Sequence, residues 1–384
     1  MPRVIALVDS IFASVRNFQR VFHDLKRTRE VVETVDNQPQ NKRRKLVVEE
    51  ASLSINSNYV NKIIGWLEKD GINIIAIHGM CGIGKTTLAT QLYTLLLSHD
   101  IPCIDDVNAT GWVSVGINFT VYQLQQKIAN AFGLNLEDDK DLNRRAAILS
   151  TLLCRLGKCI IFLDDLWGDF RLEDVGIPKQ CKLVLVSQLL DVCHVLRCQK
   201  VVKVEPLSEE ESWRLFQQSV GGNSVPYSKD MQHCKKLVSQ KCGGVPLAIT
   251  ALANCLNKVV DDDDDDSKSN GISITWLELH VLSRFKLSYE RLNNIKIQKC
   301  FLCFALLYPK ECDISREELI RLWIKERIID DVPSLQVQYD MGHTILNKLL
   351  NSCLIETCQD KRRIKMHDLV RHMARDIRCH EKKR

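Results

Sequence analysis

The sequence predicts an α/β fold, a mostly parallel sheet covered by helices on both faces, which gives way after about residue 205 to a predominantly helical half. Three observations carry that expectation. Apolar runs of strand length recur at Ile72–His78, Trp112–Val115, Cys159–Leu163 and Leu183–Val186. Between the second and third runs, Val121, Leu124, Ile128 and Phe132 follow helical spacing. A glycine-rich segment, Gly79 to Gly84, separates the first run from a further helical stretch. Strands alternating with helices in this way imply βαβ crossovers.

The stretch before the α/β region has its own pattern. Val4, Val8, Ile11, Val15, Phe18, Phe22 and Leu25 alternate steps of four and three, with Arg16, Arg20, Lys26 and Arg27 off the seam. Residues 1–36 therefore read as a heptad-patterned helix that meets a partner or packs on its own chain. Asp9, Asp24 and Glu30 oppose a mitochondrial presequence. Residues 37–54 read as a basic linker. Its run Lys42, Arg43, Arg44 and Lys45 suits a solvated connection better than a nuclear-import signal.

The α/β domain is expected over 55–205 and opens on a helix containing Val60, Ile63, Ile64 and Leu67. A helical unit follows over 206–285, broken near Gly243, Gly244 and Pro246. Its acidic stretch 261–270 lacks the turn glycine that a calcium loop needs, so it reads as a solvated surface loop. A third unit spans 286–384. Cys300 and Cys303 have a C-x-x-C spacing but fall in an apolar helical stretch, which makes them core residues.

Composition narrows the function. With 45% hydrophobic and 26% charged residues the chain is globular, and a net charge of +5 over 384 residues does not call for nucleic acid. The basic residues near the end alternate with Asp360, Asp368, Asp376 and Glu381, without an aromatic platform. Sixteen cysteines without regular spacing, and no secretory signal, read as reduced thiols of a cytosolic protein. No apolar run approaches the roughly 20 residues that cross a bilayer. A zinc site from Cys353, Cys358, His367 and His372 has too short a middle spacing.

The strongest chemical signal is Gly79-Met80-Cys81-Gly82-Ile83-Gly84-Lys85-Thr86-Thr87, a G-x-x-x-x-G-K-[ST] segment between strand and helix. Glycines at 79, 82 and 84 let the backbone close on phosphate oxygens with its N–H groups inward, and the helix start adds its positive end. Lys85 would reach the β- and γ-phosphates, and the Thr86 hydroxyl would hold Mg²⁺. Farther on, Ile160 to Leu163 end in Asp164 and Asp165. Asp164 would complete the Mg²⁺ site, and Asp165 would orient or deprotonate an attacking water.

These segments together resemble plant NB-ARC proteins. The resemblance rests on Gly79 to Thr87, Leu163-Asp164-Asp165-Leu166-Trp167, Gly243-Gly244-Val245-Pro246-Leu247-Ala248, Cys300 to Ala305 with Leu322-Trp323-Ile324, and Met366-His367-Asp368. It spans roughly residues 55 to 375, and Trp167 after the paired aspartates is similar to the coiled-coil subclass. The resemblance implies a P-loop nucleotide-binding domain, a helical subdomain and a winged-helix subdomain, operated by ATP and ADP. It places Pro246 at the adenine end and His367 at the β-phosphate of ADP. It implies a switch in plant defence that is at most a slow ATPase. Its partners would be other immune-signalling proteins or a second copy met through the N-terminal helix, with peripheral membrane contact of that helix left open.

The chain also departs from the family. Gln188 follows Lys182 to Ser187 where the family usually has an arginine that senses the γ-phosphate. An amide donates a hydrogen bond but brings no charge. Weaker discrimination of ATP from ADP is the expectation. The N-terminal region is about one helix long, and no leucine-rich repeat follows residue 375, so the expectation is a truncated relative.

Overall fold

The computed structural model describes residues 57–98, 107–134, 136, 140–220, 238–239, 242–261, 282–308, 314–329, 334–358 and 362–381. The heptad segment 1–36, the linker 37–54 and nearly all of the acidic stretch 261–270 lie outside the described residues. Two compact units emerge. One joins Asn56–Glu205 to Arg284–Arg384; the described part of the other falls within Pro206–Ser283.

The first unit opens on a helix, α1 (57–67), whose Val60, Ile63 and Leu67 are buried at the helical spacing read from the sequence. Five strands follow: β1 (Ile74–His78), β2 (Ala109–Gly116), β3 (Cys159–Leu166), β4 (Lys182–Ser187) and β5 (Lys200–Lys203). They form one parallel sheet in the order β2-β3-β4-β1-β5. β1 and β4 are central and almost wholly buried, so both read as unbroken apolar runs. β5 is an edge strand with a Lys-Val-Val-Lys sequence and only Val202 buried. Its solvated lysines hide it from an apolar-run reading.

Helices α2 (Lys85–Leu97), α3 (Val121–Ala131), α4 (Leu142–Leu156), α5 (Leu172–Val175) and α6 (Leu190–Val195) connect the strands. Strand parity sorts the two faces of the sheet. Ile161 and Leu163 of β3 join Leu124, Ile128, Leu149 and Leu153 in one core. Phe162 points the other way. It stacks on Trp112 with 5.5 Å between ring centroids and meets Tyr93 of α2 edge-on at 5.5 Å. Asp164 has the parity of Phe162 and so emerges on the α2 side.

Helix α3 begins at a capping box: Gln123 N donates to Thr120 Oγ1 at 3.2 Å, and Thr120 N donates to Gln123 Oε1 at 3.0 Å. Losing the cap strands helical N–H groups. Thr120→Ala should therefore cost about 1 kcal/mol. Urea unfolding measures this, and an unchanged midpoint and slope would remove the cap from the energetics.

The second part of this unit runs through α9 (Ser283–Glu290), α10 (Ile295–Leu307), β6 (Ile314–Ser315), α11 (Arg316–Lys325), α12 (Leu335–Asn351), β7 (Glu356–Thr357), β8 (Arg363–Lys365) and α13 (Asp368–Glu381). The three strands form an antiparallel sheet in the order β6-β8-β7. Together with α10 to α13 they make the winged-helix region. Sequence periodicity ended the strands near residue 205, and the structure corrects that: strands of two or three residues are too short to show a period. Cys300 through Ala305 are all buried in α10. Trp323 is fully buried and donates its indole N–H to Cys300 O at 2.9 Å. Arg371 is also buried, its guanidinium donating to Ala305 O and Tyr308 O at 3.0 and 2.8 Å. It is a structural cation, which removes one charge from the basic C-terminal surface.

In the other unit, α7 (Glu209–Val220) packs on α8 (Pro246–Asp261). Leu207 N donates to Gly244 O at 2.9 Å. A Cβ on Gly244, whose φ is +73°, would lie 2.4 Å from Leu207 O, so only glycine fits the turn. Pro246 is the first residue of α8, the helix position that needs no N–H.

Candidate functional site

The site lies at the C-terminal edge of the parallel sheet, where β1 turns into α2. Met80 and Ile83 are buried under the turn and anchor it. Gly82 and Gly84 have φ of +72° and +95°, conformations that side chains resist. A Cβ on Gly79 would stand 2.9 Å from Val204 O and 3.2 Å from Ile83 Cγ2. The backbone is thus coiled as tightly as a phosphate cradle requires. Gly84 caps α2 without a side-chain hydrogen bond, and no acidic residue stands in the first turn. The positive end of α2 therefore meets no carboxylate from its own first turn.

Lys85 is half-buried, and its ammonium is drawn into the turn, donating to Gly79 O at 2.9 Å and Met80 O at 2.8 Å. Desolvation lowers its pKa, with partial compensation from Cys81, Cys353, Asp164 and Asp165. Thr86 Oγ1 donates to Asp164 Oδ1 at 3.0 Å across 78 residues of sequence. Burial raises the Asp164 pKa, and the Thr86 hydrogen bond opposes the rise. Hydroxyl, carboxylate and ammonium thus converge, as the motif spacing led us to expect. This donor set fits a nucleotide phosphate with Mg²⁺: a hard cation takes the Thr86 and Asp164 oxygens, and Lys85 and the loop take the anion. Thr87, next along α2, is exposed.

Asp165 is exposed, with φ of +55°, a left-handed conformation that aspartate tolerates better than most residues. Its Oδ1 accepts from Trp167 Nε1 at 2.5 Å. Arg291 sits over the Trp167 ring, 4.4 Å from the centroid, and donates to Ile117 O at 3.1 Å. Burial lowers the Arg291 pKa while the Asp165 charge opposes the change. Gln188 is buried at the end of β4, and its amide donates to Ser288 Oγ at 2.6 Å and, at 3.5 Å, to Ser352 O. The structure thus commits the Gln188 amide to α9 and the turn after α12.

His367 precedes α13, and its Nδ1 accepts from Leu369 N at 3.2 Å. In the neutral ring that bond puts the proton on Nε2. Pro246 belongs to the other unit, at the start of α8.

Two participants escaped the sequence reading. His78 ends β1 immediately before the turn. It is 4% exposed, and its pKa is lowered to about 4 by burial and by the charges of Lys85 and Lys203. Its Nε2 lies 3.4 Å from Cys353 Sγ. Burial pushes the Cys353 thiol up to about 12. A histidine ending an otherwise apolar strand was the signal for His78. Arg291 carried none, because its role depends on a long-range stack.

Residues 56–226 match the NB-ARC domain family, and residues 307–374 match the disease resistance protein winged helix domain. The chain is similar to disease resistance protein RPS5 of Arabidopsis thaliana, 32% identical over 321 residues, which cover 80% of this chain and 35% of that protein. It is also 31% identical to disease resistance protein SUMM2 of the same plant, with the same coverage. The chain thus spans about a third of the length of the curated relatives it matches. Among solved structures, the Aeropyrum pernix ORC2 protein in ADPNP-ADP complexes shares the fold, with a TM-score of 0.53 at 14% identity over 87% of this chain and 94% of that one.

Proposed function

The chain belongs to the NB-ARC family and carries the winged-helix domain of disease resistance proteins, and from that premise we propose that it is a nucleotide-operated switch in plant defence signalling. ADP marks the off state and ATP the on state, and slow hydrolysis resets the switch. The observation that carries this reading is the convergence of Lys85, Thr86 and Asp164 at the glycine turn.

Each residue then has a task. Gly79, Gly82, Ile83 and Gly84 shape the cradle, and Thr87 continues it into α2. Lys85 leaves two backbone carbonyls for phosphate oxygens. Thr86 and Asp164 hold Mg²⁺, which when bound supplies charge neutralisation between phosphate groups. Asp165 positions a water for attack, its Oδ1 steadied by Trp167 Nε1. His367 offers its Nε2–H to the β-phosphate of ADP, and Pro246 covers the adenine end. Self-association through residues 1–36, and contacts with other immune-signalling proteins, transmit the on state.

The decisive experiment identifies the nucleotide released when purified protein is denatured. The reading expects about one ADP per chain. No bound nucleotide, with no binding on titration, would favour an interaction scaffold. Because Gln188 brings no charge and is already hydrogen-bonded, ATP and ADP affinities should agree within about tenfold. A strong ATP preference in calorimetry would contradict that.

His367→Ala should speed ADP loss roughly ten- to a hundredfold, the worth of one hydrogen bond to a charged group. Stopped-flow release of a fluorescent ADP measures it, and tighter retention would sink the latch role.

A further inference from the structure

A pair of thiols lies away from the nucleotide site, at the opposite end of the same strands. Cys159 begins β3, and Cys181 immediately precedes β4. The parallel register pairs Ile160 with Lys182, so one residue earlier the two cysteines stand side by side. Both are buried, at 1% and 3% exposure, and their Sγ atoms are 2.7 Å apart. That separation is much closer to the 2.03–2.05 Å S–S bond than thiols without a covalent prospect need be. Neighbouring strands lie about 4.7–4.9 Å apart, within the Cα separation of 4.4–6.8 Å that a disulfide spans.

We infer that Cys159 and Cys181 form a redox-modification site, a dithiol that a peroxide-class oxidant converts to a disulfide joining β3 to β4. The Cys159 thiolate attacks one peroxide oxygen, giving a sulfenic acid and hydroxide. The Cys181 sulfur then attacks the Cys159 sulfur, closing the S–S bond and expelling the sulfenic oxygen, which leaves as water with the Cys181 proton, while the hydroxide takes up the proton first lost by Cys159. In total, two thiols and one hydrogen peroxide give one disulfide and two waters. The two sulfurs lose two electrons to the peroxide. Either sulfur can donate in their shared hydrogen bond, so the roles of Cys159 and Cys181 are interchangeable in this scheme.

The thiols themselves are buried, but their sequence neighbours Lys158, Lys179 and Gln180 are all exposed, so a local opening of the strand ends is enough to admit peroxide. A disulfide formed this way is reopened by thiol–disulfide exchange, so a thiol reductant reverses the modification. Nothing in the chemistry depends on nucleotide, so this inference stands apart from the switch reading.

Trypsin separates the thiols: residues 146–155 hold Cys154, 159–171 hold Cys159, and 180–182 hold Cys181. The full-length folded chain is treated with hydrogen peroxide, unfolded with iodoacetamide without reductant, and digested. The expected product is peptide 159–171 joined to 180–182, two hydrogen masses below their sum, in most chains. Reduction before alkylation should abolish it. Cys159→Ala should leave Cys181 free for alkylation, and Cys181→Ala should prevent the link equally. If either variant fails to fold, the wild-type digest still decides. Full alkylation of Cys159 and Cys181 after peroxide, or linkage of Cys181 to the exposed Cys154 instead, would overturn the inference.

Discussion

Lys85→Ala should lower nucleotide affinity at least about tenfold while leaving the nucleotide-free fold as stable as before or more so. The first effect follows from losing a charge-assisted contact to phosphate, whose worth of about 1.5–3 kcal/mol sets the floor. The second follows from the environment. Burial lowers the Lys85 pKa, so without nucleotide its charge is held at a cost that two carbonyl contacts only partly offset. Asp164→Asn should behave in the same way: its carboxylate is destabilised by burial, and the amide keeps an acceptor for Thr86 while losing the charge that holds Mg²⁺. Isothermal titration with ADP, beside thermal unfolding of the apo protein, reads both quantities. A Lys85→Ala protein that binds ADP normally would refute the site. One that loses binding and also melts much earlier would show only that the domain had been damaged.

The sequence made the sheet readable because its central strands are buried on both faces. β1, β3 and β4 announce themselves as apolar runs for that reason. Asp164 was legible because a carboxylate at the tip of a buried strand is costly unless something there uses it. What escaped is what depends on contacts between distant segments. β5 shows only one buried side chain, and β6 to β8 are too short for a period. The pairing of Gln188 with Ser288 spans 100 residues, and that of His78 with Cys353 spans 275. No local pattern encodes such pairs.

Those distant pairs share a location. Gln188, His78 and Asp191 stand on or just beyond the C-terminal ends of β4 and β1, and each meets the segment from Ser288 to Cys353. Asp191 accepts from Lys348 Nζ at 2.8 Å and from Asn351 Nδ2 at 2.6 Å. The ion pair is about half exposed, so it contributes little to stability. The buried contacts weigh more, because separating them would strand polar atoms or let water in beside the glycine turn. The winged-helix region is therefore wired to the residues that flank the phosphate cradle, which is the arrangement a nucleotide-sensitive switch needs.

His78 gives that wiring a pH dependence. A neutral imidazole is held between the turn and Cys353, facing the charges of Lys85 and Lys203, with the backbone carbonyls of Gln188 and Asn351 as acceptors for its N–H. Its folded pKa of about 4 lies below the ordinary 6.5. The unfolded chain therefore binds more protons between those two values. The stability that comes from keeping His78 neutral is complete above about pH 6.5 and is lost as pH falls toward 4. Between pH 7 and 4.5 the loss should be about 2.5 kcal/mol from this group alone. Other groups titrate in the same range, so the measurement is a difference. Urea unfolding of the wild type and of His78→Gln at both pH values should show the wild type losing about 2.5 kcal/mol more than the variant. A parallel loss would mean that His78 is solvated in the folded protein and that Cys353 does not close over the turn. A larger loss in the wild type would mean that acid opens the protein at the joint between the phosphate turn and the winged-helix region.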